Sequence, residues 1–201
     1  MPPPSLVVSY NKVIIDINRL ENYRNSSLTL EPKYQHLIAE VILLRLFSLI
    51  ENYIKDVSSK IACASPYRSG NLPTLLHTCT TVNNALKQFE NFNRVTPKSP
   101  KWTNSRYSID TIKKIIPATE KVRVELVNFG PFYEEMRKVR NHVAHRSSST
   151  YGNYKIVIIS TYGAYLQINT GAFLVSTKRI PIAKIDYYIQ VGKIFVNSLS
   201  S

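Results

Sequence analysis

The chain is poor in the residues that hold metals and disulfides. Its 201 residues include two cysteines, Cys63 and Cys79. Neither sits in a Cys-x-x-Cys or Cys/His ligand spacing, which argues against a structural zinc site. A disulfide between them stays open beside the reading in which both pack as small hydrophobes in a reducing compartment. Long uninterrupted apolar runs are also missing. The most apolar stretch, Ile38 to Ile54, carries Glu40, Arg45, Ser48, Glu51 and Asn52, charges and polar groups that a bilayer-spanning helix does not hold cheaply. Met1-Pro2-Pro3-Pro4 is not a basic segment leading into an apolar one, so no signal peptide is expected and a cytoplasmic protein is the default. There is no internal repeat and no extended low-complexity tract. Acidic residues are scarce: 13 Asp and Glu against 26 Lys and Arg leave a net charge of +13. That imbalance points to a polyanion, nucleic acid foremost, with an acidic protein partner as the alternative.

What is present is enough for a folded body. Length and 44% hydrophobic content predict a single domain over 1–201 with a real core. The periodicity of Tyr10, Val13, Ile14, Ile17 and Leu20 predicts an amphipathic helix from Val8 to Tyr23, with Asn25-Ser26-Ser27 as the loop after it. Pro32 suits a first helical position. From Lys33 to about Ala64 there is neither Gly nor Pro, and apolar residues cover much of the circumference, so a long central helix packed on several sides is expected. Further helices are expected from about Thr74 to Asn91, from Ile109 to Ile116 behind a capping Ser108, from Gly130-Pro131 through His145, and from Pro181 to the end. Asn93 to Arg106, with the single Trp102, reads as a surface loop. The β-branched runs Tyr154–Thr161 and Tyr165–Ser176, interrupted by Gly163 and Gly171, predict a small hairpin insertion over 155–176.

The chemistry concentrates in Arg140-Asn141-His142-Val143-Ala144-His145. Arginine is a permanent cation whose N–H fork matches a phosphate. Histidine takes and gives a proton near neutral pH. Together they can hold a phosphodiester and move its protons without a metal: a base removes the 2′-hydroxyl proton, a cation meets the developing charge, and an acid protonates the leaving 5′-oxygen. No cofactor is called for. The alternative is a basic helix end that complements its own dipole, with His145 bonding a terminal carbonyl. One such set supplies one strong proton-transfer group, so a two-fold dimer would be needed to supply both.

Arg140-Asn141-x-x-x-His145, late in a helix and preceded by the long segment Leu37 to Tyr53, resembles the RNxxxH form of the R-x4-6-H signature of HEPN-domain ribonucleases. The resemblance covers about Lys33 to Arg146 and the closing helix. It implies a mainly α, up-and-down helical bundle, a homodimer with a composite active site, and metal-independent endoribonuclease activity on RNA. Members often act as toxins with an antitoxin or in antiviral defence, and others are catalytically inactive RNA- or protein-binding modules. Carried over, Arg140 binds phosphate, Asn141 orients the site and His145 is catalytic. Glu51 is the candidate for the acidic residue that faces the motif from the earlier helix, with a plain surface carboxylate as the alternative. The tyrosine that some members carry two positions after the histidine is Ser147 here, which weakens regulation by tyrosine modification. Arg137, Lys138 and Arg146 are candidates to track an RNA backbone, though each is equally a solvated charge. Trp102 with Lys98, Lys101 and Arg106 reads either as a stacking loop or as a loop anchored by its Trp. His142 is expected to point away from His145 and reads as a surface or interface residue.

Overall fold

The computed structural model describes residues 4–91 and 102–201, and every regular element among them is helical. In chain order these are α1 (Leu6–Ser27), α2 (Pro32–Ile61), α3 (Val82–Asn91), α4 (Ser105–Ile112), α5 (Lys121–Asn128), α6 (Gly130–His145), α7 (Ser148–Tyr162), α8 (Thr170–Val175) and α9 (Lys184–Ser200). No helix among the described residues is long and apolar enough to cross a membrane. The chain groups into two compact units. Unit 1 takes Met1–Ile14, Ile50–Tyr133 and Ile194–Ser201; unit 2 takes Ile15–Leu49 and Glu134–Lys193. Helices α1, α2, α6 and α9 each give residues to both.

Unit 1 is built on apolar residues of helical spacing, with Tyr53, Ile54, Val57 and Ile61 of α2 fully or almost fully buried. Phe195 is the hub of an aromatic nest, its ring 4.8 Å from Phe129, 6.2 Å from Tyr133 and 6.5 Å from Phe132. The irregular stretch between α2 and α3 is tied down by a buried carboxylate. Glu120 accepts from the Tyr67 hydroxyl at 2.6 Å and from the Thr74 backbone N–H at 2.7 Å, so its burial is matched by hydrogen bonds. Burial and that carboxylate push the Tyr67 hydroxyl well above the usual tyrosine range. Both cysteines are free: Cys79 is buried, Cys63 half-buried, and burial raises both thiols.

Sequence periodicity overextends α3. Residues 74–81 are irregular, because Leu76 N–H bonds the Ile115 carbonyl and Cys79 N–H the Ala62 carbonyl rather than continuing a helix. The cap of α4 is Asn104, whose Oδ1 accepts from the Arg106 N–H at 2.8 Å. Ser108 lies inside that helix, bonded back to the Asn104 carbonyl. Trp102 is buried edge-on against Phe89 with centroids 5.8 Å apart, and its carbonyl accepts from the Tyr133 hydroxyl at 2.9 Å. Lys98 and Lys101 lie outside the described residues.

Unit 2 holds Leu43, Leu46, Phe47, Met136, Val139, Tyr154, Phe173 and Tyr188 in its interior. Gln35 closes the α1–α2 turn by donating to the Leu28 and Leu30 carbonyls at 3.3 and 2.8 Å. Two ion pairs join α1 to α9: Arg24, 4% exposed, meets Asp186 at 3.0 Å, and Glu21 meets Lys193 at 2.7 Å. The Tyr188 hydroxyl, fully buried, donates to Glu135 at 3.0 Å, and Lys184 holds the same carboxylate at 2.9 Å.

The hairpin expected over 155–176 is absent. Tyr154–Thr161 lies within α7 and Thr170–Val175 is α8. β-Branched propensity spans only about 1 kcal/mol and yields to context. The helix ends here are well specified. Ser147 Oγ accepts the Thr150 N–H at 3.3 Å and Thr150 Oγ1 accepts the Ser147 N–H at 3.0 Å, a reciprocal capping box. Gly163, at φ 72°, closes the other end, donating its N–H to the Ile159 carbonyl. Tyr154, Val157 and Ile158, three and four positions apart, are the buried face. Asn169 then caps α8 through the Ala172 N–H at 2.8 Å. Ser147→Ala is expected to cost about 1 kcal/mol, read as a lower urea midpoint at unchanged slope.

Candidate active site

The motif lies on the last turn and a half of α6, inside unit 2. The helix stops after His145 because Arg146 takes a left-handed backbone, φ 46°, with its N–H on the His142 carbonyl at 2.9 Å. A non-glycine residue there costs about 1–2 kcal/mol. Two residues after His145, Ser147 has already become the cap of α7. The carboxyl end of one helix and the amino end of the next therefore meet at the motif.

Arg140 is half-buried. Its Nη1 donates to Asn141 Oδ1 at 3.1 Å, and its guanidinium lies 5.5 Å from the centre of the Phe47 ring on α2. The Nε–H is buried and meets no acceptor, and no carboxylate pairs with the guanidinium among the described residues. Its neighbours differ. Arg137 is bound through two nitrogens to Glu134, at 2.8 and 2.6 Å, and Arg146 pairs with Glu40 of α2 at 3.0 Å. Lys138 is half-buried. His145 is exposed, and its ring makes no hydrogen bond to another described residue. Glu51, half-buried on α2, falls in unit 1, whereas Arg140, Asn141 and His145 fall in unit 2. The acidic side chain of α2 that reaches the motif's end within unit 2 is Glu40.

His142 is not a loose surface residue. Its ring stacks on Tyr154 at 4.9 Å with 16° between planes, touches Tyr151 at 5.6 Å, and its Nδ1 lies 3.2 Å from Thr150 Oγ1. Burial and the Arg146 charge lower its pKa below the ordinary 6.5, with Glu40 opposing. Burial pushes the Tyr154 hydroxyl well above the tyrosine range, so that neighbour stays neutral. The sequence signal that pointed here was only the second histidine of the motif. Its partners, Glu40, Thr150 and Tyr154, come from α2 and α7 and show no spacing that marks them.

The lowered histidine has a consequence for stability. The unfolded chain binds a proton at His142 near pH 6.5 and the folded chain only at lower pH. Below pH 6.5 the unfolded state therefore holds more protons, and the contribution of His142 to stability falls as pH drops through the folded value. Thermal unfolding from pH 7 to pH 5 is expected to show a steeper loss for the native chain than for His142→Asn. Parallel curves would remove this assignment.

Among the described residues, no group of three or more His, Cys, Asp or Glu side chains is placed to hold a metal ion. Unit 2 also has an open apolar groove of about 500 Å³ between α1 and α2, lined by Leu20, Tyr23, Leu37, Val41 and Arg45 among others. No motif residue lines it. No family model, no curated protein and no solved structure matches the chain.

Proposed function

We propose that this chain is a metal-independent endoribonuclease that cleaves RNA by attack of the ribose 2′-hydroxyl on the adjacent phosphorus, with Arg140 as the phosphate clamp and His145 as a proton-transfer group. The observation that carries the reading is the state of Arg140. It is the arginine of the motif, half-buried, whose Nε–H meets no acceptor and whose guanidinium meets no carboxylate among the described residues, whereas Arg137 and Arg146 are each paired. A buried donor left without an acceptor costs about 1–3 kcal/mol. A phosphate oxygen is an acceptor that would recover this and add charge assistance. The net charge of +13 supports a polyanionic substrate, and Arg146, exposed although its partner Glu40 is mostly covered, adds a cation beside the motif. The HEPN resemblance adds a homodimer that joins two such sets, and a role as a toxin or defence effector held by an antitoxin or system partner.

The test is incubation of the full chain with mixed-sequence single-stranded RNA in EDTA. Products with 2′,3′-cyclic phosphate and 5′-hydroxyl ends are expected. RNA left intact over hours overturns the reading, and salt-dependent binding without cleavage assigns the chain to the inactive, RNA-binding alternative.

A further inference from the structure

Cleavage needs a base and an acid, and the motif contains a second histidine whose proton can be placed. Thr150 Oγ1 owns one hydrogen. We place that hydrogen on the Ser147 carbonyl, its shortest acceptor contact at 2.9 Å; the oxygen also accepts the Ser147 N–H at 3.0 Å and lies 3.1 Å from Ser147 Oγ. Toward His142, 3.2 Å away, the same oxygen is left to act as an acceptor. The hydrogen of the neutral imidazole then sits on Nδ1, and the lone pair on Nε2. Stacking on Tyr154 and contact with Tyr151 fix the plane of the ring. At about 100° per residue the order around the end of α6 is Arg140, Asn141, His145, His142. His145 and His142, three positions apart, are surface neighbours.

We propose that His142 is the general base of the reaction and His145 the acid, so that one chain carries both proton-transfer groups. This rests on the ribonuclease reading above. His142 Nε2 takes the 2′-hydroxyl proton as the O2′–P bond forms. The P–O5′ bond breaks, its electron pair goes to O5′, and that oxygen takes the proton of the His145 imidazolium. The products are a 2′,3′-cyclic phosphate and a 5′-hydroxyl, and exchange with water returns each histidine to its starting state. The groups that face His142 are Arg146 from its own helix end, Glu40 from α2, and Thr150, Tyr151 and Tyr154 from α7. Burial and the Arg146 charge favour the neutral imidazole, the form a base needs, against the opposing pull of Glu40.

The experiment combines imidazole ¹⁵N spectra of the full chain with single-turnover cleavage from pH 4.5 to 8. His142 is expected to show a protonated Nδ1 and a bare Nε2. His142→Asn, which keeps a donor for Thr150, is expected to lower cleavage at least 100-fold, leave RNA affinity within two-fold, and remove the acidic limb of the rate profile. Thr150→Val keeps the imidazole and removes its orienting acceptor, so a loss of roughly 10-fold with a displaced acidic limb is expected even if His142→Asn does not fold. Cleavage by His142→Asn within three-fold of the native chain, or a hydrogen found on Nε2, overturns this proposal and leaves the ribonuclease reading standing. A native chain that cuts no RNA overturns both.

Discussion

Arg140→Ala is expected to lower RNA cleavage by about 10³-fold, within the range seen when a cation or donor that meets transition-state charge is removed. The loss should fall on the rate of the bound complex more than on RNA affinity, because a chain of net charge +13 keeps many other contacts to a phosphate backbone. Stability should fall by about 1 kcal/mol or less. Arg140 gives up the 3.1 Å contact to the adjacent Asn141 and the ring contact to Phe47, and the substitution also deletes a buried donor that meets no acceptor among the described residues. Arg137→Ala is the control: its guanidinium is already bound twice by Glu134, so the expected loss is under ten-fold. His145→Ala should match Arg140→Ala in direction. If expression of the native chain arrests growth, both variants should relieve it. Retention of near-native activity by Arg140→Ala would remove the phosphate-clamp assignment outright.

Gly171→Ala is expected to destabilise unit 2 by about 2 kcal/mol. Propensity alone says the opposite, since Ala is better than Gly in a helix by about 1 kcal/mol. The deciding fact is contact. A Cβ at residue 171 would stand 2.5 Å from the Cβ of His36, 2.9 Å from its Cα and 3.0 Å from its carbonyl oxygen. Two of those three atoms belong to the backbone of α2, so no side-chain rotation clears the space. Overpacking of this kind typically costs about 1–3 kcal/mol, occasionally more, and it outweighs the propensity gain. Chemical denaturation of the two proteins checks the sign. A stabilised Gly171→Ala would mean that α8 can retreat from α2 freely.

How far the chain could be read beforehand varied with the kind of signal. Pro32 opens α2 as its fixed φ demands, and Gly130 to His145 is one helix with its apolar positions inward. These are local rules, and a single sequence carries them whole. The strands expected over 155–176 failed because Ile156, Val157, Ile158 and Ile159 satisfy a strand's propensity, whereas the helix buries Val157 and Ile158 and leaves Ile156 and Ile159 exposed. The decision was made by Ser147, Thr150, Gly163 and Asn169 at the ends. The helix α5 left little trace in a short, mixed segment, and its cap is the same Glu120 that anchors Tyr67 and Thr74. At the candidate site, Arg140, Asn141 and His145 were legible as a spacing. Glu40, Thr150 and Tyr154 were not, because their relation to His142 exists only once α2, α6 and α7 have packed.

The interleaving of the two units bears on when during synthesis such a protein can become active. Unit 2 needs Arg24 and Asp186, which are 162 positions apart, and Glu21 and Lys193, which are 172 apart. At roughly 5–20 residues per second on the ribosome, the first partner of each pair waits on the order of ten seconds or more for the second. Only in the last part of that interval is the α6 motif already made, and its unit is then still incomplete. Under the ribonuclease reading proposed above, a growing chain therefore holds no finished site to turn on the RNA around it until α9 has been made.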